Sequence, residues 1–340
     1  MTAASGTLDE PRARPVEVLQ AWARNNAWAL GLIAFLGVLL VFTRLIQPTY
    51  GVSGVQNLAI GVLPLALASV AQAIVVISGG IDLSIGSMMA LTSVVGAVLM
   101  AGQSGEIAVA VVVGVLLLGL LLGAINGTVI VLTKVPDIVV TLAMLFVWHG
   151  AALLVLSTPG GGSALWLRQL VLGSIGMDWI PFSEWIPKAA VLLFAVVAIV
   201  WIPVRWSRLG LSLYAIGSNQ LAAFRSGVSV SRTKIFAYTL AGVFAALAGL
   251  ALTATTGRAT PVPGPYTLLS VAAVVLGGVS LAGGRGGVLG PIVAVLILDL
   301  IRTDTTILRV DPNYVVVVQG GILVGVVMVG TLLQLRGRRA

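Results

Sequence analysis

A single histidine, His149, and no cysteine leave this 340-residue chain few routes to catalysis. No pair of imidazoles can be assembled around a metal or in a proton relay, and thiolate nucleophiles, disulfides and cysteine-ligated metals are excluded. The three lysines, Lys134, Lys188 and Lys234, follow Thr133, Pro187 and Thr233. None follows the glycine that the phosphate-cradling G-x-x-x-x-G-K-[ST] loop requires, so the chain cannot supply its own ATPase of that type. Neither a G-x-S-x-G elbow nor an H-E-x-x-H pair occurs.

The informative polar residues are those set singly into apolar runs: Asn57, Gln72, Asn126, Thr141, His149 and Asp299. A polar group in lipid is expensive, so each must face another helix or a water-filled path. Both readings stand for Asn57, Gln72, Asn126 and Thr141, while His149, among apolar neighbours, reads as a packed histidine. Asp299 is followed three residues later by Arg302, the spacing of a local ion pair on a helix. No run holds the paired acids that ion coupling needs, which weighs against a stand-alone secondary transporter or channel, the alternative reading of such a chain.

The segment 78–86, Ser-Gly-Gly-Ile-Asp-Leu-Ser-Ile-Gly, interrupts two apolar runs. Its glycines break the helix, Ser84 is placed to cap the next one, and Asp82 lies near that helix's positive end. Asp82 is then an interfacial acid, a structural or gating residue acting through backbone hydrogen bonds, or a solute contact. Asp82 and Ser84 join the four polar residues above as candidates for a translocation path.

The elements that must position these residues are membrane helices. With 59% apolar and only 9% charged residues, and a mean hydropathy of +1.10, the chain cannot cover a water-soluble globule. A soluble enzyme, a nucleic-acid-binding domain and a disordered tail are all excluded. The net charge of +8 therefore reads as topology signal and not as affinity for nucleic acid. The chain is expected to be an all-α, polytopic helical bundle of about ten transmembrane helices embedded in lipid. The expected spans are 27–43, 55–77, 85–101, 107–132, 138–156, 186–204, 235–253, 268–281, 288–301 and 314–335. With both termini inside, thirteen of the nineteen basic residues fall on the cytoplasmic side and six on the other, as the positive-inside rule asks.

This gives a cytoplasmic tail over 1–26 with an interfacial helix at 16–23, one transmembrane domain over 27–335, and a basic cytoplasmic tail over 336–340. The tail lacks the apolar core and small-residue cleavage site of a signal peptide. Two connections are long. The external one, 157–185, is expected to hold a short helix around 165–172, and the cytoplasmic one, 205–234, a helical stretch at 220–226. Gly119, Gly123 and Gly127 form one small-residue ridge, and Gly242, Ala245, Ala246 and Gly249 another. Such ridges let backbones approach closely, either within the bundle or at a subunit interface. A weak internal echo pairs Gly79-Gly80-Ile81-Asp82-Leu83 with Gly277-Gly278-Val279-Ser280-Leu281.

Five blocks in order then resemble the permease subunits of bacterial ABC importers, in the branch that takes ribose, xylose, galactosides and autoinducer-2. They are SGGIDLSIG at 78–86, GAING at 123–127, VPDIVVTLAML at 135–145, YAIGSNQLAAFRSGV at 214–228 and AAVVLGGVSLAGGRGGVLG at 272–290. The resemblance implies a non-catalytic transport subunit of the inner (cytoplasmic) membrane that moves a small sugar or sugar-like solute. It implies cytosolic ABC ATPase subunits that use ATP and Mg, a periplasmic or lipid-anchored solute-binding protein, and a second permease copy in a homo- or heterodimer, with no cofactor bound by this chain. It also implies an ATPase-coupling helix in the cytoplasmic loop, carried here by Tyr214, Gly217, Asn219, Ala222, Ala223, Arg225, Ser226 and Gly227. The chain departs from the family pattern at Ser218-Asn219-Gln220-Leu221, at Tyr266-Thr267-Leu268 and at Asp137.

Overall fold

The computed structural model describes residues 27–177 and 181–311, with single positions between 314 and 328. Its helices are α1 (Ala27–Ile46), α2 (Val52–Ile77), α3 (Ile85–Met100), α4 (Gly105–Thr133), α5 (Asp137–Val155), α6 (Leu165–Val171), α7 (Lys188–Trp206), α8 (Arg208–Ser218), α9 (Gln220–Arg225), α10 (Val230–Thr256), α11 (Tyr266–Leu276) and α12 (Leu289–Ile307). Among the described residues no strand forms; two isolated bridges, Gly160–Ala259 and Ser174–Pro187, tie loops together.

Six helices, α1, α2, α4, α5, α7 and α10, are long and apolar enough to cross a membrane, so the chain is a multi-pass membrane protein. They coincide with six of the ten expected spans. The helix α3 is shorter, at 16 residues, and α12 carries Asp299, Arg302 and Asp304 within its 19 residues. The eighth expected span is corrected: α11 has only 11 residues, about 16 Å of helix against a hydrocarbon core of about 30 Å. It ends at Gly277, and irregular backbone follows to Val288. The tenth expected span lies mostly outside the described residues, as do the terminal tails and the interfacial helix at 16–23.

Burial sorts the helices into an inner and an outer set. The membrane-length windows of α2 and α10 are 83% and 67% buried, those of α1, α5 and α7 only 11%, 17% and 22%. Outer helices keep apolar faces outward because lipid, unlike water, imposes no penalty on them. The inner helix α10 is rich in alanine and glycine, which admit close neighbours. The two glycine ridges pack on each other: a Cβ on Gly119, Gly123 or Gly242 would overlap the backbone or a side chain of the facing helix. Gly249 faces α3, where Met89 O and Ser93 N leave no room for a side chain. The ridges thus serve packing within one chain.

The α7 helix widens into a π segment at Val197–Trp201 just before Pro203. Pro203 has no N–H to give to the carbonyl four residues back, and the wider turn absorbs that missing bond. Ser207 then caps α8 by accepting from Gly210 N at 3.2 Å, and Asn219 caps α9 by accepting from Ala222 N at 2.9 Å. Both expected loop helices, at 165–172 and 220–226, are present as α6 and α9.

The connections gather into two sets. At one end the 78–84 and 277–288 loops meet the C-terminus of α8, and Lys234 meets Asp137. At the other, Gly162 N donates to Ala97 O (2.9 Å), Gln56 Nε2 donates to Glu184 O (3.2 Å), and Gly160 pairs with Ala259. They match the two sets of loops that the expected topology assigns to opposite sides of a membrane.

Candidate functional site

Five of the six polar residues singled out as path candidates converge on the 78–84 loop. Asp82 is fully buried, and its Oδ1 accepts from Ser84 N (2.8 Å) and Ser84 Oγ (2.6 Å). Asn126 of α4 donates from Nδ2 to Ser84 Oγ at 2.7 Å and accepts at Oδ1 from Trp148 Nε1 at 3.1 Å. Thr141 of α5 donates to Ile81 O at 3.2 Å and Asp137 O at 2.9 Å. Gln72 of α2, with its amide oriented to match donor to acceptor, bonds Asp82 O from Nε2 (2.8 Å) and takes Asp82 N–H on Oε1 (3.2 Å). Three helices thus fasten one irregular stretch of backbone.

Ser84 does not cap α3 with its hydroxyl, because Asp82 and Asn126 engage that group. The orphan N–H of Gly86 in the first turn is met from another element, by Thr267 Oγ1 of α11 at 3.1 Å. Asp82 lies outside the spans on either side of it. Burial pushes its carboxyl up to about 6, against the pull of the Ser84 hydrogen bonds. Its Oδ2 has no hydrogen-bond partner.

Asn57 lies elsewhere. It sits 15 positions before Gln72 on α2, about 22 Å along the helix, and faces a cavity of about 450 Å³ at the opposite end of the bundle. Gln47, Tyr50, Asp299, Arg302 and Thr306 also line it. The expected Asp299–Arg302 pair is present at 4.0 Å.

The residues expected to form a coupling segment fall on two sides of α8 and α9. Tyr214, Gly217 and Ala223 face the bundle. Tyr214 OH donates to Gly286 O at 3.0 Å, and Ala223 is buried with its carbonyl accepting from Val228 N at 3.0 Å. Gly217 lies at the centre of a three-way junction. Any Cβ there would overlap Ile77 O and come within 2.6 Å of Gly284 N, while Gly283 stands over both Gly217 and Gly79. Gly284 N donates to Ile77 O at 2.9 Å, joining the two loops directly. Gly283 has φ +82°, a conformation that side chains resist, so its position excludes a Cβ twice over. Facing away from the bundle, α9 exposes Leu221 (59%), Ala222, Phe224 (66%) and Arg225, with Ser226 and Gly227 beside it.

Sequence reasoning missed Asp137, noted only as a departure from the family pattern. Its carboxylate takes Lys234 Nζ at 2.8 and 3.1 Å and Tyr238 OH at 2.9 Å. The partners lie about one hundred residues downstream, and a helix-periodic lysine and tyrosine near the start of α10 were the only available signal.

The chain matches the family described as branched-chain amino acid transport system / permease component over residues 54–327. The ribose import permease protein of Escherichia coli K12 is 30% identical over 312 residues, covering 90% of this chain and 95% of the relative. That of Bacillus subtilis 168 is 32% identical over 311 residues, covering 86% and 89%. An autoinducer 2 import system permease protein of Escherichia coli O9:H4 is 30% identical over 316 residues, covering 89% and 91%. No solved structure matches the chain.

Proposed function

The chain belongs to the permease-component family of these transport systems, and from that premise we propose that it is the membrane-spanning subunit of an ATP-driven importer for a small sugar or sugar-like solute. Its relatives are transport permeases, and it forms a path and performs no catalysis of its own. ATP and Mg act on separate cytosolic ABC ATPase subunits, a solute-binding protein delivers the cargo, and a second permease copy, identical or paralogous, completes the assembly. The protein lies in the bacterial cytoplasmic membrane with the α9 end and both termini toward the cytoplasm.

The observation that carries this reading is the junction at Gly217. The α9 helix offers Leu221, Ala222, Phe224 and Arg225 to a partner at the end of the bundle. Its neighbour α8 is wedged by Gly217 against both interior loops. A displacement of α9 by a partner that changes shape with its nucleotide is therefore transmitted by contact to the loops at the ends of α2 and α11. The buried network of Gln72, Asp82, Ser84, Asn126 and Thr141 holds the first of those loops as a unit that moves whole, and Asn57 lines the path at the far end.

The experiment is gentle solubilisation of the tagged chain from native membranes, with identification of its stoichiometric partners by mass spectrometry. A Walker-motif ATPase at near-equal ratio is expected. A lone oligomer, reproduced after crosslinking, overturns the importer and turns attention to ion-coupled flux.

A further inference from the structure

The cavity around Asn57 has no part in the junction and lies at the other end of the bundle. Its volume of about 450 Å³ falls within the range of roughly 300–1,000 Å³ typical of small-molecule sites. The chemistry of its wall is unusual for a lipid-embedded bundle. Asn57 and Gln47 bring amides that both donate and accept, Asp299 brings a carboxylate, Arg302 a guanidinium, Thr306 a hydroxyl, and Tyr50 a phenol. The Tyr50 hydroxyl is buried without a hydrogen-bond partner. Residue 61 of α2, facing Asp299, is glycine, and a Cβ there would stand 3.3 Å from Asp299 Oδ2, so the carboxylate would have to give way by a few tenths of an ångström.

We infer that this cavity is a receiving subsite for a neutral polyhydroxylated solute, a pentose or hexose, on the path into the membrane. The inference rests on the importer reading and names the solute class for one place along the path. Vicinal hydroxyls both donate and accept, and they match a wall that mixes planar amides, a carboxylate and a guanidinium in one small volume. Asp299 and Arg302, 4.0 Å apart, cancel each other's charge, so a net anion or a net cation meets one repelling partner. A zwitterionic amino acid would satisfy that pair, but its apolar side chain would be left against amides and hydroxyls, which lose their water without a partner.

The test uses the full chain in lipid nanodiscs, titrated by calorimetry with D-ribose, D-allose, D-fructose and L-leucine. Saturable millimolar binding of at least one sugar is expected, weakened tenfold or more in Asn57→Leu and in Asp299→Asn and unchanged in Leu117→Ala, on the exposed face of α4 away from the cavity. Sugar binding that survives both cavity substitutions overturns the site. So does binding of leucine in preference to every sugar, or no binding of any sugar. Thermal unfolding of each variant separates lost binding from lost fold. ATP-driven uptake by the chain assembled with its ATPase and binding protein is measured in parallel: uptake without cavity binding overturns the subsite alone, whereas no association with any ATPase overturns the importer.

Discussion

The helix–loop–helix units α2–α3 and α11–α12 begin alike and are then held by opposite means. The ends of α2 and α11 are bonded in the same pattern. Ser78, Gly79 and Gly80 donate to Ile74, Val76 and Val75, and Gly277, Gly278 and Val279 donate to Ala273, Val275 and Val274. The structural register pairs Gly79 with Gly278, one position away from the alignment that the sequence echo suggests. Beyond that point the first loop is secured by its own Asp82–Ser84 bonds and by buried side chains from three helices. The second, 277–288, is secured by backbone bonds, by Tyr214 OH and by glycines set against Gly217. A polar network fixes a loop at one geometry because each member left unsatisfied in the interior is costly. A glycine-lined loop keeps its place only while the surface it touches stays put. In the proposed mechanism the first loop is accordingly the fixed side of the junction and the second the side that follows α8.

The largest effect is expected from filling the junction. Gly217→Val places side-chain atoms where Ile77 O and Gly284 N already stand. Overpacking of this kind costs about 1–3 kcal/mol, and here it also parts α8 from both loops. Uptake by the reconstituted importer should fall at least tenfold while ATP hydrolysis by the partner continues; uptake at the wild-type rate removes the junction from the account.

Smaller losses should separate the two loops. Asp82→Ala leaves Ser84 N–H and hydroxyl without their acceptor, at a cost of about 1–3 kcal/mol, read as a lowered unfolding midpoint in detergent. Because the folded protein raises this carboxyl to about 6, it favours the protonated form. Stability should therefore increase as pH falls from 7 toward 5, and Asp82→Asn should show less of that increase. An identical pH profile in the variant contradicts the buried position of Asp82. Asn126→Ala removes both bonds of the bridge between Ser84 and Trp148 and should cost about 1 kcal/mol, at about 0.6 kcal/mol for each such bond between membrane helices. Tyr214→Phe should have the least effect on stability, about 0.5 kcal/mol for one part-exposed bond to Gly286, but it should alter transport more than Asn126→Ala does, because it touches the loop proposed to move.

Much of this arrangement was legible in the sequence because lipid makes polar residues conspicuous. Gln72, Asn126 and Thr141 stand out against apolar runs and Asp82 in the break between two of them, and the cost of burying a polar group predicts that those in the runs face another helix or a water-filled path. The six long helices follow from unbroken apolar length, and the glycine ridges from four-residue spacing. What could not be read depends on distances along the chain that no local pattern encodes. Asp137 finds Lys234 and Tyr238, and Thr267 satisfies Gly86, across separations set only by the packed bundle. The half-length of α11 was hidden because apolar residues continue past Gly277 after the helix has stopped. The cavity joins Asn57 to Tyr50 and Asp299, which look unrelated until α12 is laid beside α2.

The natural absence of cysteine permits the most direct test of the central claim. A single cysteine introduced as Phe224→Cys, on the exposed face of α9, can be crosslinked in native membranes with a short bifunctional reagent and the product identified by mass spectrometry. The account predicts one dominant adduct, to a Walker-motif ATPase, whose yield changes when a non-hydrolysable nucleotide is added. An adduct only to a second copy of this chain, insensitive to nucleotide, would contradict it.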